Sequence, residues 1–175
     1  RSYSNAWARG PGPSRLGSRG LTSGNKCVFW YNYYMHIFLL SVTDNLQEDL
    51  RISLGEEIVK RGNTVAYISS EPQSSTRPYY KSTVEDYAHF SPDVKVDYFD
   101  LSDNFSDESL LKLLDYGSIY LSGGNTYVFM DSAKKRNIYP ILKKHLENRG
   151  LLIGASAGSI MMTESIDLAG LGGDI

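Results

Sequence analysis

One stretch near the end of the sequence constrains the fold more than any other: residues 151–162, with the sequence LLIGASAGSIMM. Two apolar runs flank a turn of small residues, GASAG, with Ser156 at its centre. This pattern is typical of a buried strand that passes through a sharp turn directly into a helix. Because small residues let the backbone bend tightly, we expect the turn to lift the Ser156 hydroxyl clear of the sheet as a nucleophile. The alternative is a glycine-rich turn in which the serine is incidental.

A second turn of small residues, Ser122-Gly-Gly-Asn-Thr126, follows an apolar run that ends at Leu121. A helical pattern begins just after it, so its backbone N–H groups can face an oxyanion. A tetrahedral intermediate of acyl transfer needs two such donors. The candidates are the N–H of Gly124 and the N–H of Ala157, which directly follows the predicted nucleophile. Taken alone, the turn is also explained as a plain glycine turn with Asn125 as a helix cap.

Between Met35 and the serine turn, apolar strand patterns alternate with helical patterns. Strands are predicted at 37–42, 64–68, 94–99, 118–121 and 151–153, and helices at 44–61, 79–90, 106–114, 125–135 and 139–148, the first of them capped by Asp44. Five strands joined by helical crossovers predict an α/β three-layer sandwich with a mostly parallel sheet. Ligands of such sheets bind outside the carboxyl ends of the strands, where both small-residue turns are expected to lie.

Composition excludes several classes of protein. The 175 residues carry a formal net charge of −2, so we expect no nucleic-acid partner. The apolar residues 27–42 are too few for a membrane span, which needs about 20. Cys27 is the single cysteine, which excludes internal disulfides and favours a cytoplasmic location. No cluster of His, Asp and Glu has metal-ligand spacing, so we expect no metal and no cofactor.

The first part of the sequence is unlike the rest. Residues 1–26 are rich in Gly, Ser, Pro and Arg and contain no acidic residue, a composition typical of disorder. Met35 leads directly into the first predicted strand and has the position of a natural start. We therefore predict that residues 1–34 are a disordered leader or a cloning-derived segment, and that residues 35–175 form the domain. A transit peptide is the alternative for the leader.

The two turns together resemble peptidase family S51, the serine peptidases that include aspartyl dipeptidase (peptidase E) and the cyanophycinases. The resemblance rests on Ile119-Tyr-Leu-Ser-Gly-Gly-Asn-Thr-Tyr127 and Gly154-Ala-Ser-Ala-Gly158. It implies a fold similar to that of class I glutamine amidotransferases, which is flavodoxin-like. It also implies Ser156 as nucleophile, with Gly124 and Ala157 as oxyanion donors. Those amidotransferases carry cysteine at the position of Ser156, so the serine here argues against their chemistry.

The resemblance implies further catalytic residues that this sequence supplies only in part. The family's base is a histidine a few dozen residues beyond the nucleophile, with an aspartate between them. Asp174 is the best match to that aspartate, and Asp167 is the second. No histidine follows Ser156 before the last residue, Ile175. We therefore expect that the C-terminal part of the domain is missing and that the 175-residue chain is inactive or nearly so.

The predicted reaction is hydrolysis of short peptides, including dipeptides with an N-terminal aspartate as the resemblance implies. Gly123, Asn125 and Thr126 are expected to contact the substrate, and Arg77 is a candidate partner for an acidic side chain. Two alternatives stay open: an esterase of the α/β-hydrolase type, and a catalytically inactive or truncated homologue that acts as a binding protein. We expect a monomer or a homodimer and no membrane partner.

Overall fold

The computed structural model describes residues 36–41, 46–72, 75–102 and 104–163. Within them, one sheet contains five strands: His36–Leu40 (β1), Thr64–Ser69 (β2), Lys95–Asp100 (β3), Ser118–Leu121 (β4) and Leu151–Ala155 (β5). The strand order across the sheet is β1-β5-β4-β2-β3, and all four pairings are parallel. The predicted parallel α/β sheet is confirmed. The predicted leader, residues 1–34, lies outside the described residues.

Helices connect the strands on both faces of the sheet: Glu48–Lys60 (α1), Pro78–Ala88 (α2), Asp107–Leu111 (α3), Thr126–Lys135 (α4), Tyr139–Glu147 (α5) and Ala157–Ile160 (α6). A 3₁₀ turn at Lys112–Asp115 continues α3. In the described part of the chain, no helix is long and apolar enough to cross a membrane.

The start of the first helix was predicted wrongly. We expected it to run from Asp44, but α1 begins at Glu48, because Gln47 has extended backbone angles and occupies the N-cap position. Glu48 and Asp49 place negative charge in the first turn, where the helix dipole favours it. Asp44 itself lies outside the described residues.

Alternating strand side chains divide the core into two layers, one on each face of the sheet. The first layer packs α1 and α2 against Tyr67, Tyr120 and Ile153. The second packs the 3₁₀ turn and α4 to α6 against Ile68, Leu121 and Leu152. Because neighbouring strand residues point to opposite faces, a fully apolar strand supplies both layers at once. Helices therefore cover the sheet on both sides, as the three-layer prediction requires.

The strand register brings four carboxyl ends to one edge of the sheet. Leu40 of β1 pairs with Ala155 of β5, and Leu121 of β4 lies between Gly154 of β5 and Ile68 of β2. The residues that follow these strands therefore lie along the same edge: Ser41, Ser156, Ser122 and Ser70. The sheet thus brings together hydroxyl groups that are far apart in the sequence.

Candidate active site

Ser156 occupies a strained turn between β5 and α6. Its backbone angles are φ 48° and ψ −111°, which residues with a side chain rarely adopt. Its N–H donates a hydrogen bond to the Leu40 carbonyl at 2.8 Å, and its carbonyl accepts one from the Ile160 N–H at 3.0 Å. Ser156 is exposed, whereas Ala155 and Ala157 on either side are buried. The predicted strand, sharp turn and helix are confirmed, and the turn presents the serine outward.

The two glycines of the GASAG turn are required by close packing. A Cβ atom at Gly158 would overlap the backbone carbonyl of Leu121 in β4. A Cβ atom at Gly154 would lie 2.8 Å from the backbone of Gly158 and would overlap the Met162 side chain. A Cβ atom does not approach other heavy atoms this closely, so any larger residue would push α6 away from the sheet. The glycines therefore let α6 begin directly against β4 and β5.

Ser159 fastens the first turn of α6 to two strands. Its Oγ lies 2.8 Å from the Leu40 carbonyl and 2.7 Å from the Gly154 carbonyl, and it accepts a hydrogen bond from the Leu40 N–H at 3.0 Å. One hydroxyl thus connects the carboxyl end of β1, the end of β5 and the helix. These bonds help to hold Ser156 in its strained conformation.

The second small-residue turn lies directly beside the first. A Cβ atom at Gly123 would lie 3.5 Å from the Cβ of Ser156, which is ordinary contact distance. The N–H of Gly158 donates a hydrogen bond to the Ser122 carbonyl at 3.0 Å and so joins the two turns. Gly124 has φ +127°, a conformation that favours glycine. The sheet therefore brings the two sequence motifs into contact.

Three groups at this junction have no hydrogen-bond partner among the described residues: the Ser156 hydroxyl and the N–H groups of Gly124 and Ala157. The N–H of Gly158, by contrast, is already used by Ser122. Unused backbone donors beside an exposed hydroxyl are what an oxyanion site needs. The roles predicted for Ser156, Gly124 and Ala157 are compatible with this geometry.

A cavity of about 810 Å³ opens in front of the two turns. Among the described residues, its wall includes Gly123, Gly124 and Ser156. The charged side chains in this part of the wall are both acidic: Glu71, which follows β2, and Asp86 of α2. Aromatic rings and hydroxyls form much of the rest: Tyr67, Tyr79, Tyr120, Ser41, Ser69, Ser70, Ser82, Thr83 and Ser122.

Three predicted substrate-binding residues lie outside this wall. Asn125 caps α4, because its Oδ1 accepts hydrogen bonds from the N–H groups of Tyr127 and Val128, each at 3.0 Å. Thr126, at the first position of α4, is fully buried. The guanidinium carbon of Arg77 lies 3.8 Å from the ring centre of Tyr98. Asn125 and Thr126 thus serve the structure of the turn, and the substrate contacts predicted for all three residues stay predictions.

The histidines of the chain have other positions in the fold. His36 lies at the amino end of β1, 3.1 Å from Glu57, on the edge opposite Ser156. The buried imidazole of His145 donates from Nε2 to the Leu151 carbonyl at 3.0 Å, and burial lowers its pKa below the ordinary 6.5. His89 follows α2, with its Nδ1 2.9 Å from the Glu85 carbonyl.

The predicted triad acid is not placed by the structure, because Asp174 and the second choice, Asp167, lie outside the described residues. In the described cavity wall, no histidine is present. Groups of three or more His, Cys, Asp or Glu side chains that could hold a metal ion do not occur in the described ranges.

Sequence reasoning missed several residues of the wall. The sequence patterns assign no role to Ser70 or to Ser122, although Ser122 belongs to the second small-residue turn. They predict that Tyr67 and Tyr120 lie in strands and do not indicate that both line a cavity. The available signal was position, because Ser70 and Ser122 directly follow buried strands whose carboxyl ends share one edge of a parallel sheet.

Comparison with known proteins identifies the family. The sequence model of peptidase family S51 matches residues 37–174, well over half of the chain, so the chain belongs to peptidase family S51. No curated protein matches the chain.

Several solved structures are similar to this chain in fold. One is a protein provisionally described as a peptidase E, from Listeria monocytogenes EGD-e: identity 22%, TM-score 0.59, coverage 76% of this chain and 64% of that one. Another is a peptidase from an acI-B1 Actinobacterium: identity 16%, TM-score 0.52, coverage 73% and 57%. The chain therefore spans less than two thirds of the length of either structure.

The packing of the GASAG turn predicts a difference between two glycine substitutions. We expect Gly158→Ala to lower the free energy of unfolding by about 1–3 kcal/mol, because its Cβ overlaps the Leu121 carbonyl. Gly123→Ala is the matched control, since its Cβ would make only ordinary contacts. Urea unfolding followed by circular dichroism measures both. Equal stability of the two variants would contradict the packing described for α6.

Proposed function

We propose that this chain belongs to a serine peptidase that hydrolyses short peptides, with Ser156 as the nucleophile. The observation that carries the proposal is the exposed Ser156 hydroxyl on a strained turn, beside two unused backbone N–H groups and at the wall of a cavity. Membership of family S51 supports peptidase chemistry. A residue held in a rare backbone conformation at a cavity is typical of a functional site.

In the proposed reaction, Ser156 Oγ attacks the carbonyl carbon of the scissile peptide bond while its proton passes to a base. The carbonyl oxygen becomes an oxyanion, which the N–H groups of Gly124 and Ala157 bind. The C–N bond then breaks, and the departing amine takes the proton from the base. Water hydrolyses the resulting ester and restores the serine. The family resemblance assigns the base to a histidine beyond Ser156 and its acidic partner to Asp174.

Cavity charge and size bear on the substrate. A volume of about 810 Å³ suits a ligand of a few residues rather than a folded chain. Glu71 and Asp86 favour a positively charged group, and the free amino end of a short peptide is such a group. For a substrate with an N-terminal aspartate, Arg77 remains the proposed partner of the acidic side chain. The guanidinium of Arg77 lies over the ring of Tyr98. Tyr98 belongs to β3 and is paired with Tyr67 of β2, which is part of the cavity wall.

Two alternative functions were left open by the sequence: an esterase and a binding protein without catalytic activity. Membership of family S51 favours a peptidase over an esterase of the α/β-hydrolase type. A catalytically inactive homologue that only binds peptides is the second alternative. We retain three further proposals from the sequence: a cytoplasmic location, a monomeric or homodimeric state, and no nucleic-acid or membrane partner.

Replacement of the proposed nucleophile tests this function. In the natural full-length protein, we expect Ser156→Ala to lower kcat for dipeptide hydrolysis by at least about 1,000-fold, because the attacking oxygen is lost. Ser53→Ala makes the same chemical change on the exposed face of α1 and should leave kcat unchanged. Release of free amino acid from a dipeptide series measures the rates. A Ser156→Ala variant as active as the unmodified protein would contradict the proposal.

The charges of the cavity predict a requirement for a free amino end. We expect N-acetylation of a dipeptide substrate to lower kcat/KM by about tenfold or more, because the positive charge that Glu71 and Asp86 attract is removed. In the isosteric variants Glu71→Gln and Asp86→Asn, the ratio of kcat/KM between the free and the acetylated dipeptide should be smaller. Equal kcat/KM for free and acetylated dipeptides would rule out recognition of the amino end.

The same assay also tests recognition of the acidic side chain of a substrate with an N-terminal aspartate. If Arg77 binds it, the preference for Asp-Ala over the isosteric Asn-Ala should fall several-fold in Arg77→Gln. An unchanged preference would remove Arg77 from the site and leave the amino-end result intact.

A further inference from the structure

We propose that Ser70 and Ser122 are positioning residues that aim the Gly124 N–H at the oxyanion. We call these two serines, together with the Gly123 carbonyl that they bind, the serine clamp. The inference rests on the proposed function, since it concerns the oxyanion site of that reaction. It is independent of the identity of the peptide that is cleaved.

The serine clamp is a closed set of hydrogen bonds. The Ser70 N–H donates to Ser122 Oγ at 2.9 Å, and Ser122 Oγ donates its own proton to the Gly123 carbonyl at 2.9 Å. The Ser70 hydroxyl donates to the same carbonyl at 2.8 Å. Each hydroxyl has a single proton, and both protons go to one oxygen. The Gly123 carbonyl therefore accepts two hydrogen bonds, one from the preceding residue, Ser122, and one from Ser70, which follows β2.

Fixing this carbonyl also fixes the N–H of the next residue. The Gly123 carbonyl and the Gly124 N–H belong to one planar peptide group, which is trans because the described chain has no cis peptide bond. In a trans peptide the N–H points away from the carbonyl. Because the carbonyl faces Ser70 and Ser122, the Gly124 N–H must face the other way, and no described residue accepts its proton.

A pair of glycines needs such a clamp. Two adjacent glycines have more backbone freedom than any other pair, so the peptide group between them can rotate unless side chains hold it. Ser70 and Ser122 are only 7% and 4% exposed, so their hydroxyls have little water to bind instead of the carbonyl. Ser70 Oγ also packs so closely against Gly124 that a Cβ atom there would overlap it.

The clamp favours the transition state over the bound substrate. An oxyanion donor acts most strongly when charge develops on the carbonyl oxygen, and its value depends on being held in place beforehand. Loss of a clamp that only stabilised the loop would lower protein stability, but it would not lower kcat selectively while KM stayed the same. The two roles therefore predict different kinetics.

The test uses Ser70→Ala, Ser122→Ala and the double variant of the natural full-length protein, with Ser53→Ala as the matched control on the exposed face of α1. We measure kcat and KM for a dipeptide, and the inhibition constant of a peptide aldehyde, which forms a tetrahedral adduct with a serine hydroxyl. We expect the double variant to lose about 10- to 100-fold in kcat, with KM changed by less than about threefold. Aldehyde affinity should fall in parallel with kcat. The single variants should show smaller losses of the same kind.

A second measurement does not depend on activity. Release of the Gly123 carbonyl should move the amide resonance of Gly124 in the nuclear magnetic resonance spectrum and speed its hydrogen exchange, and thermal unfolding checks that each variant is folded. Wild-type kcat and aldehyde affinity in folded clamp variants would overturn the clamp while leaving Ser156 as the nucleophile. Failure of the proposed function is recognised separately, by equal hydrolysis in the unmodified protein and Ser156→Ala, and that result would overturn the clamp as well.

Discussion

The site depends on one close backbone contact between two turns that the sheet brings together. The Gly158 N–H donates to the Ser122 carbonyl at 3.0 Å, and Gly158 lies so close to Leu121 that no side chain fits between them. This contact fixes α6 against the end of β4, and therefore fixes Ser156 beside Gly123. The pairing of β4 with β5 places the two turns side by side, and this contact fixes their relative orientation.

Around this contact, buried hydrogen bonds hold conformations that are unfavourable in isolation. Ser156 has a positive φ, which persists in a residue with a side chain only where the surroundings determine it, whereas Gly124 adopts φ +127° without strain. Ser159 connects α6 to β1 and β5, and the serine clamp holds the Gly123 carbonyl. Ser156 and Gly124 line the cavity, and so do Ser70 and Ser122 of the serine clamp. Strain and preorganisation are thus two aspects of the same arrangement.

Much of this arrangement could be predicted from the sequence, because local patterns determine local structure. The five strands and the GASAG turn follow from apolar runs and small residues close together in the chain. The strand order could not be predicted. The hydrogen bonding of Ser70 could not be predicted either, since Ser70 and its partner Ser122 are 52 positions apart. The acidic part of the cavity wall could not be predicted for the same reason, because Glu71 and Asp86 line one cavity only after α2 folds over the sheet.

We propose Ser156 as an activated nucleophile at the junction of the two turns. The most direct measurement is labelling of the natural full-length protein with a serine-directed phosphonate, followed by peptide mapping in the mass spectrometer. We expect one covalent adduct, on the peptide that contains Ser156, and no adduct in Ser156→Ala. A fully folded protein that takes up no phosphonate, or takes it up at another serine, would contradict the claim.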